Sequence, residues 1–331
     1  MKKYIQTLFT LLLVSAQGVC GDVLTENMGE QAMTRQMRTV LDEQWPEQAK
    51  NIRIGAGDGG AKAFVNPPAV GQKNLLLTWQ LLERIKDMAG GTIIIVPKHA
   101  FESSPDFASM GDRFHLVRID GVLHTMTKEK VMSSDASAIA FINPDMIVML
   151  PGDTQQEDGS WKAYTKEMVE EFLTMLPLDK KILFLNGPRT GKYQYNEEGK
   201  LIVDETAHKS STDAITQAVI DKLNDNWTIM DFKYGQTSAW MPVLKFLIEN
   251  NHIPLVLAGE STSMISEINS LGIKGILLSH DAMTQTSQSY IKLLTAEGRA
   301  FSYPNGFDEG NYHQKSTPPQ EDVIIKKLKS F

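Results

Sequence analysis

Nine residues, Gly259-Glu260-Ser261-Thr262-Ser263-Met264-Ile265-Ser266-Glu267, join three things that chemistry with anions needs. A short apolar run over 253–258 precedes them and a helical pattern follows. A strand, a small polar turn and a helix N-terminus present free N–H groups and the positive end of the helix dipole to a phosphate or carboxylate. Glu267 stands four residues after Ser263, on the same helical face, where a carboxylate can accept hydrogen bonds from sugar hydroxyls. The combination predicts a nucleotide-type ligand.

Other groups are weaker. Gly187-Pro188-Arg189-Thr190-Gly191-Lys192 is one residue short of GxxxxGK, and Tyr193 stands where Ser or Thr would bind magnesium, so it is not a Walker loop. Arg189 and Thr190 still suit phosphate contacts, because a guanidinium makes forked hydrogen bonds to such groups. The run Gly55-Ala56-Gly57-Asp58-Gly59-Gly60 matches GxGxxG after a strand. A dinucleotide site would also need a full helix and an acidic residue ending the next strand. Asn66-Pro67-Pro68 cuts that helix short, and the next clear strand ends at Pro97-Lys98-His99 without an acid. Nicotinamide or S-adenosylmethionine binding at the Gly55 loop is therefore a third, weaker reading. Asp58 and His99 follow strands, where a general base can reach a cleft. His115 and His124 show no metal-ligand spacing and read as structural, and Gly-x-Ser-x-Ser is not the GxSxG elbow of hydrolases.

The elements that must hold these residues alternate in the manner of parallel α/β layers. Strands are expected at 52–54, 92–96 and 114–119, with helical spacing over 75–88. A more regular series begins at 146–150. It continues with strands at 182–185, 227–232, 253–258 and 275–278, and with helices near 164–176, 212–223, 241–250 and 284–297. Five βα units predict a doubly wound domain. Residues 303–320 read as a linker, and a short helix is expected over 323–328. Its Lys326, Lys327 and Lys329 suit either a solvated face or a membrane surface.

With 331 residues, 42% hydrophobic and 22% charged, the chain has the composition of a globular protein of two domains. A net charge of -7 argues against a general nucleic-acid binder. Cys20 is the sole cysteine, so no intramolecular disulfide can form and there is no zinc-type Cys/His cluster. Lys2 and Lys3, an apolar stretch over 8–14 and Ala16-Gln17-Gly18 have the pattern of a signal peptide. That pattern predicts an exported or periplasmic protein. The alternative is an ordinary first strand or buried helix of a cytoplasmic one.

Three turns now stand in order: Pro151-Gly152-Asp153, Gly187-Pro188-Arg189-Thr190-Gly191, and the segment from Glu260 to Glu267. In this order they resemble the bacterial branch of the mitochondrial-fission (elongated-mitochondria) family, whose members are similar to GT-B glycosyltransferases. Leu271-Gly272-Ile273-Lys274 and Gly298-Arg299-Ala300-Phe301 resemble that family's later turns, and Ile54-Gly55-Ala56-Gly57 its first loop. The resemblance implies an α/β fold of two Rossmann-like domains in a GT-B arrangement with an interdomain cleft. Residues 21–143 would form the acceptor-side domain, 144–303 the donor-nucleotide domain, and 304–331 a linker and tail helix. It further implies a glycosyltransferase using a nucleotide-diphosphate sugar, with no bound cofactor or metal. Ser261, Thr262 and Ser263 would meet the diphosphate and Glu267 the ribose. Gly152, Asp153, Arg189, Thr190, Gly259, Glu260 and Met264 would complete the donor side, and Asp58 or His99 would act as base. Pro151 and Pro188 depart from the family pattern. They motivate a second reading, a non-catalytic binding or scaffold protein that keeps the fold.

Overall fold

A computed structural model describes residues 21–23, 28–79, 83–102, 112–156, 158–307 and 310–331. The signal-peptide pattern and Cys20 lie outside the described residues. The chain folds into two compact α/β units, Met1–Ile119 with Gln320–Phe331, and Asp120–Pro319. Among the described residues no helix is long and apolar enough to cross a membrane.

The first unit contains α1 (Met28–Gln44), α2 (Pro46–Ala49), β1 (Ile52–Ala56), α3 (Gly57–Ala63), β2 (Lys73–Leu77), β3 (Ile93–Pro97), α4 (Lys98–Glu102) and β4 (His115–Ile119). Its sheet runs β1-β2-β3-β4 and every pairing is parallel. A strand covered on both faces has no wet side, and β3 accordingly is apolar and buried throughout. The same constraint corrects the helical expectation over 75–88. Leu75, Leu76 and Leu77 are consecutive and all buried, which suits a two-sided strand, whereas a surface helix would turn one of them to water. Among the described residues that follow, Glu83–Asp87 forms a 3₁₀ turn. The glycines of the GxGxxG match serve packing. A Cβ on Gly55 would lie 2.8 Å from the Gly60 Cα, so the pair lets α3 sit directly on the end of β1.

The second unit contains α5 (Lys128–Met132), α6 (Ser137–Ile142), β5 (Met146–Met149), β6 (Thr154–Gln155), β7 (Trp161–Lys162), α7 (Lys166–Thr174), β8 (Ile182–Leu185), β9 (Tyr193–Tyr195), β10 (Leu201–Val203), α8 (Ala214–Ile220), β11 (Trp227–Met230), α9 (Trp240–Glu249), β12 (Leu255–Ala258), α10 (Thr262–Ser270), β13 (Ile276–Leu278), α11 (Gln285–Ala296) and β14 (Phe301–Ser302). Its main sheet, all parallel, runs β11-β8-β5-β12-β13-β14. Numbered along the chain that is 3-2-1-4-5-6, the Rossmann order, whose direction reverses between β5 and β12. The pairs β6–β7 and β9–β10 are antiparallel hairpins set into the loops after β5 and β8.

Further features differ from the sequence reading. The units divide at 119/120 rather than 143/144, because Val131, Ala136 and Ile139 share one apolar core with Val243, Leu244 and Leu247 of α9. A sixth strand, β14, was not expected; at two residues it is too short to carry a periodic signal. The described residues of 303–320 are not a free linker. Tyr312 is buried in the second unit's core, and its hydroxyl donates to the carbonyls of Gly306 and Phe307, both at 2.7 Å.

The chain then returns to the first unit as α12 (Gln320–Leu328). Ile324, Ile325 and Leu328 face inward, Lys326 and Lys327 face water, and Gln36 of α1 donates to Glu321 at 2.8 Å. The apolar face of α12 is thus structural. Ile324→Ala should lower the unfolding free energy by roughly 2–4 kcal/mol and expose β4 amides to hydrogen exchange. A loss within about 0.5 kcal/mol, the range of ordinary surface changes, would show that α12 is only loosely attached.

Candidate functional site

In an open α/β sheet the crevice at the reversal of strand order collects the loops at the strands' carboxyl ends. Here that position lies between β5 and β12, and Glu260 occupies it. Its Oε1 accepts from the Gly152 amide at 2.7 Å, and its Oε2 accepts from His280 Nε2 at 3.0 Å. Both side chains are almost fully buried. One carboxylate therefore ties the loops after β5, β12 and β13 together. His280 packs edge-on against Tyr164 with ring centroids 4.9 Å apart. The sequence reading missed His280, because a single histidine after a strand has no spacing partner.

Asp153 is a second internal tie. Its Oδ1 accepts from the Tyr164 amide at 2.9 Å and its Oδ2 from the Tyr193 amide at 2.7 Å, while its own amide donates to the Arg189 carbonyl at 2.9 Å. Both hairpins are held this way. Burial pushes the carboxyl up to about 6; the Tyr193 and Tyr164 amides pull it down, and the Asp213 charge adds to the rise. Thr190 is also buried, its hydroxyl accepting from the Gly187 amide at 3.0 Å. Gly191 takes φ +60°, and a Cβ there would strike Asp213 at 2.3 Å, so only glycine closes this turn.

The motif of α10 divides by exposure. A Cβ on Gly259 would lie 2.2 Å from Ile291, so that glycine is a packing requirement of α11. Met264 packs on the apolar core. Ser266 accepts from the Val122 amide at 3.0 Å and donates to the Thr262 carbonyl at 2.7 Å. Ser261 is the N-cap residue but makes no side-chain capping bond. Ser261 and Thr262 are half-buried and Ser263 is exposed. Glu267 is half-buried and accepts from the Trp240 indole at 2.6 Å. Burial raises its carboxyl above the ordinary 4.5, with the indole bond opposing.

The predicted donor-side residues are thus brought to one end of one sheet, with different roles. Gly152, Asp153, Thr190, Gly259 and Glu260 spend polar atoms or their missing Cβ on internal structure. Arg189, Ser261, Thr262, Ser263 and part of Glu267 are the groups turned toward solvent. Asp58 and His99 lie in the first unit, each just after a strand. Asp58 is exposed, whereas His99 is only 2% exposed, which does not suit a base that must meet a substrate.

The chain matches no protein-family model and no curated protein. Among solved structures, it is similar to one titled "Crystal structure of LpCGTa in complex with UDP", at 10% sequence identity and a TM-score of 0.39, over 100% of this chain and 81% of that one. So slight a likeness bears no weight.

A raised carboxyl favours its protonated form in the folded state. Its contribution to stability is complete below about 4.5, the ordinary glutamate value, and is lost as pH rises through the folded-state value. Glu267→Gln keeps an acceptor for Trp240 without the charge. The stability difference between Glu267→Gln and wild type should therefore shift in favour of the variant as pH rises above 4.5. A difference that stays constant in denaturant titrations from pH 4 to 8 would contradict the assignment.

Proposed function

We propose that the second unit binds the diphosphate of a sugar nucleotide at the N-terminus of α10, and that the chain is a glycosyltransferase of GT-B type. The observation that carries this reading is the placement of α10. Its first turn, with Ser261 uncapped and Ser263 exposed, stands directly after the strand that borders the reversal of sheet order. The N–H groups of that turn and the hydroxyls of Ser261, Thr262 and Ser263 supply donors for phosphate oxygens. Arg189, exposed on the loop after β8, supplies a forked cation. The carboxylate oxygen of Glu267 not held by Trp240 supplies an acceptor for ribose hydroxyls.

In the transfer itself an acceptor hydroxyl attacks the anomeric carbon, the bond from that carbon to the diphosphate breaks, and the helix terminus with Arg189 stabilises the departing charge. A general base takes the hydroxyl proton. A GT-B pairing of the two units, and kinship with the bacterial branch of the mitochondrial-fission family, belong to this proposal. Burial of His99 favours a second reading, a sugar-nucleotide-binding protein without transferase activity.

A panel of uridine, guanosine, adenosine and thymidine diphosphate sugars tests both readings. A bound donor should stabilise the protein by about 2.7 kcal/mol at a hundredfold excess over its dissociation constant. Arg189→Ala and Glu267→Ala should each weaken binding about tenfold or more, as lost hydrogen bonds to charged groups do. Stabilisation by none of the donors would sink the proposal. Binding without release of nucleoside diphosphate, with every acceptor class supplied, would favour the second reading.

The pattern at residues 1–20 supports export to the periplasm as the location. Sequencing the N-terminus of protein recovered from separated cell fractions should find a start near residue 19 in the exported fraction. A start at Met1 in cytosol alone would reverse that location.

A further inference from the structure

Beneath the loop that carries Arg189 and Thr190 lies a polar cluster that the proposed donor site does not use. It draws single residues from four places: Asn186 after β8, His208 in the excursion before α8, Asp213 at the N-cap of α8, and Asp231 after β11. His208 and Asp213 are completely buried. A nitrogen of His208 and an oxygen from each of Asp213 and Asp231 all lie within 4.8 Å of one another.

The hydrogen bonds of this cluster do not close. His208 Nε2 is 2.7 Å from the Thr190 carbonyl, which can only accept, so Nε2 carries the ring's proton. In the neutral ring Nδ1 is then a bare lone pair. It is buried, has no hydrogen-bond partner, and faces Asp213 Oδ2 at 3.7 Å. That oxygen is itself poorly satisfied. Asp213 Oδ1 takes the amides of Ile215 and Thr216, but Oδ2 has only the Asn186 side-chain amide, at 3.2 Å. The two hydrogens of that amide are already committed at shorter range to Thr216 Oγ1 at 2.7 Å and Asp231 Oδ1 at 2.8 Å. Two lone pairs therefore confront each other in a buried site, and a positive charge between them is what the arrangement lacks.

We propose that this cluster is a binding site for one divalent first-row transition ion, zinc or manganese, held by His208 Nδ1, Asp213 Oδ2 and a carboxylate oxygen of Asp231. The separation of 3.7 Å is too long for a hydrogen bond. It is close to the roughly 3.4 Å between two ligands of one tetrahedral ion at 2.0–2.1 Å. Imidazole with two carboxylates suits zinc or manganese rather than copper(I), which prefers sulfur. The Thr190 carbonyl does what such partners do for metal-bound histidines: it fixes the tautomer and the ring plane. His208 is also held at φ +62°, a conformation non-glycine residues seldom adopt. One group competes. Lys233 Nζ pairs with Asp231 Oδ2 at 2.8 Å, and Thr212 donates to the same oxygen at 3.0 Å. Through Thr190 the ion would brace the turn that presents Arg189, so the role is structural and independent of whether a sugar nucleotide binds.

The test uses the full chain, free of any affinity tag and stripped with a chelator, titrated with Zn²⁺, Mn²⁺ and Co²⁺ alone. One ion should bind per chain, raise the unfolding temperature, and with Co²⁺ give visible absorption. His208→Gln and Asp231→Asn should each lower affinity tenfold or more. Lys233→Ala alters a partly exposed side chain that is not itself a ligand, and should tighten binding several-fold by removing the competing ammonium. If wild type binds none of the three ions, a proton on Nδ1 fills the gap and the proposal is wrong. Binding that is unchanged in all three variants would overturn it as well.

Discussion

The second unit depends on buried carboxylates that accept hydrogen bonds from the backbone at the carboxyl end of a parallel sheet. Strand ends leave amides and carbonyls unpaired where loops depart, and each such group costs free energy if it is buried without a partner. Glu260 answers this for the loop after β5 through the Gly152 amide, and holds the loop after β13 through His280. Asp153 does the same for both inserted hairpins. The geometry of the candidate site rests on these few bonds, because beyond the two short hairpins the loops contain little regular structure of their own.

This division explains what the sequence made legible. Strands β5, β8, β12 and β13 announce themselves because each is a short, fully buried apolar run bounded by turn residues; β8 falls on 182–185 as expected. Strand β2 was illegible for the opposite reason. Leu75, Leu76 and Leu77 lead into a stretch with apolar residues at helical spacing, and only the neighbours on either side reveal that all three leucines are covered. The Rossmann order itself is not in any local pattern. It follows from pairings between strands as far apart as β5 and β12.

The site was legible by location and not by role. Sequence placed the three polar turns at strand ends correctly, yet a carboxylate aimed at a ligand and one aimed at a backbone amide have the same letter. Gly152 and Gly259 look like openings for a phosphate, but a Cβ on Gly152 would lie 3.0 Å from Arg189, and one on Gly259 would collide with Ile291. The group that approaches each of these glycines is the protein's own. His208, His280 and Asp231 carried no signal because each stands alone in its loop; folding alone gives them partners.

An apparent electrical conflict follows from the proposed chemistry. Asp153, Asp213, Asp231, Glu260 and Glu267 lie in or beside the strand-end loops of the second unit, the region proposed to take a diphosphate. Bare carboxylates there would repel the ligand. The structure turns them inward: Asp153 onto two amides, Asp213 onto the first turn of α8, Glu260 onto Gly152 and His280, and Asp231 onto Lys233. A carboxylate whose oxygens face backbone donors spends its field on them, and that local neutralisation leaves the outward field to the first turn of α10 and to Arg189. Glu267 is the member least satisfied in this way, with one indole donor and a carboxyl raised by burial. A neutral or hydrogen-bond-accepting Glu267 beside uncharged sugar hydroxyls is electrostatically tolerable where a free carboxylate beside phosphate is not, so the same residue that looks out of place among anions is suited to the ribose end of the ligand.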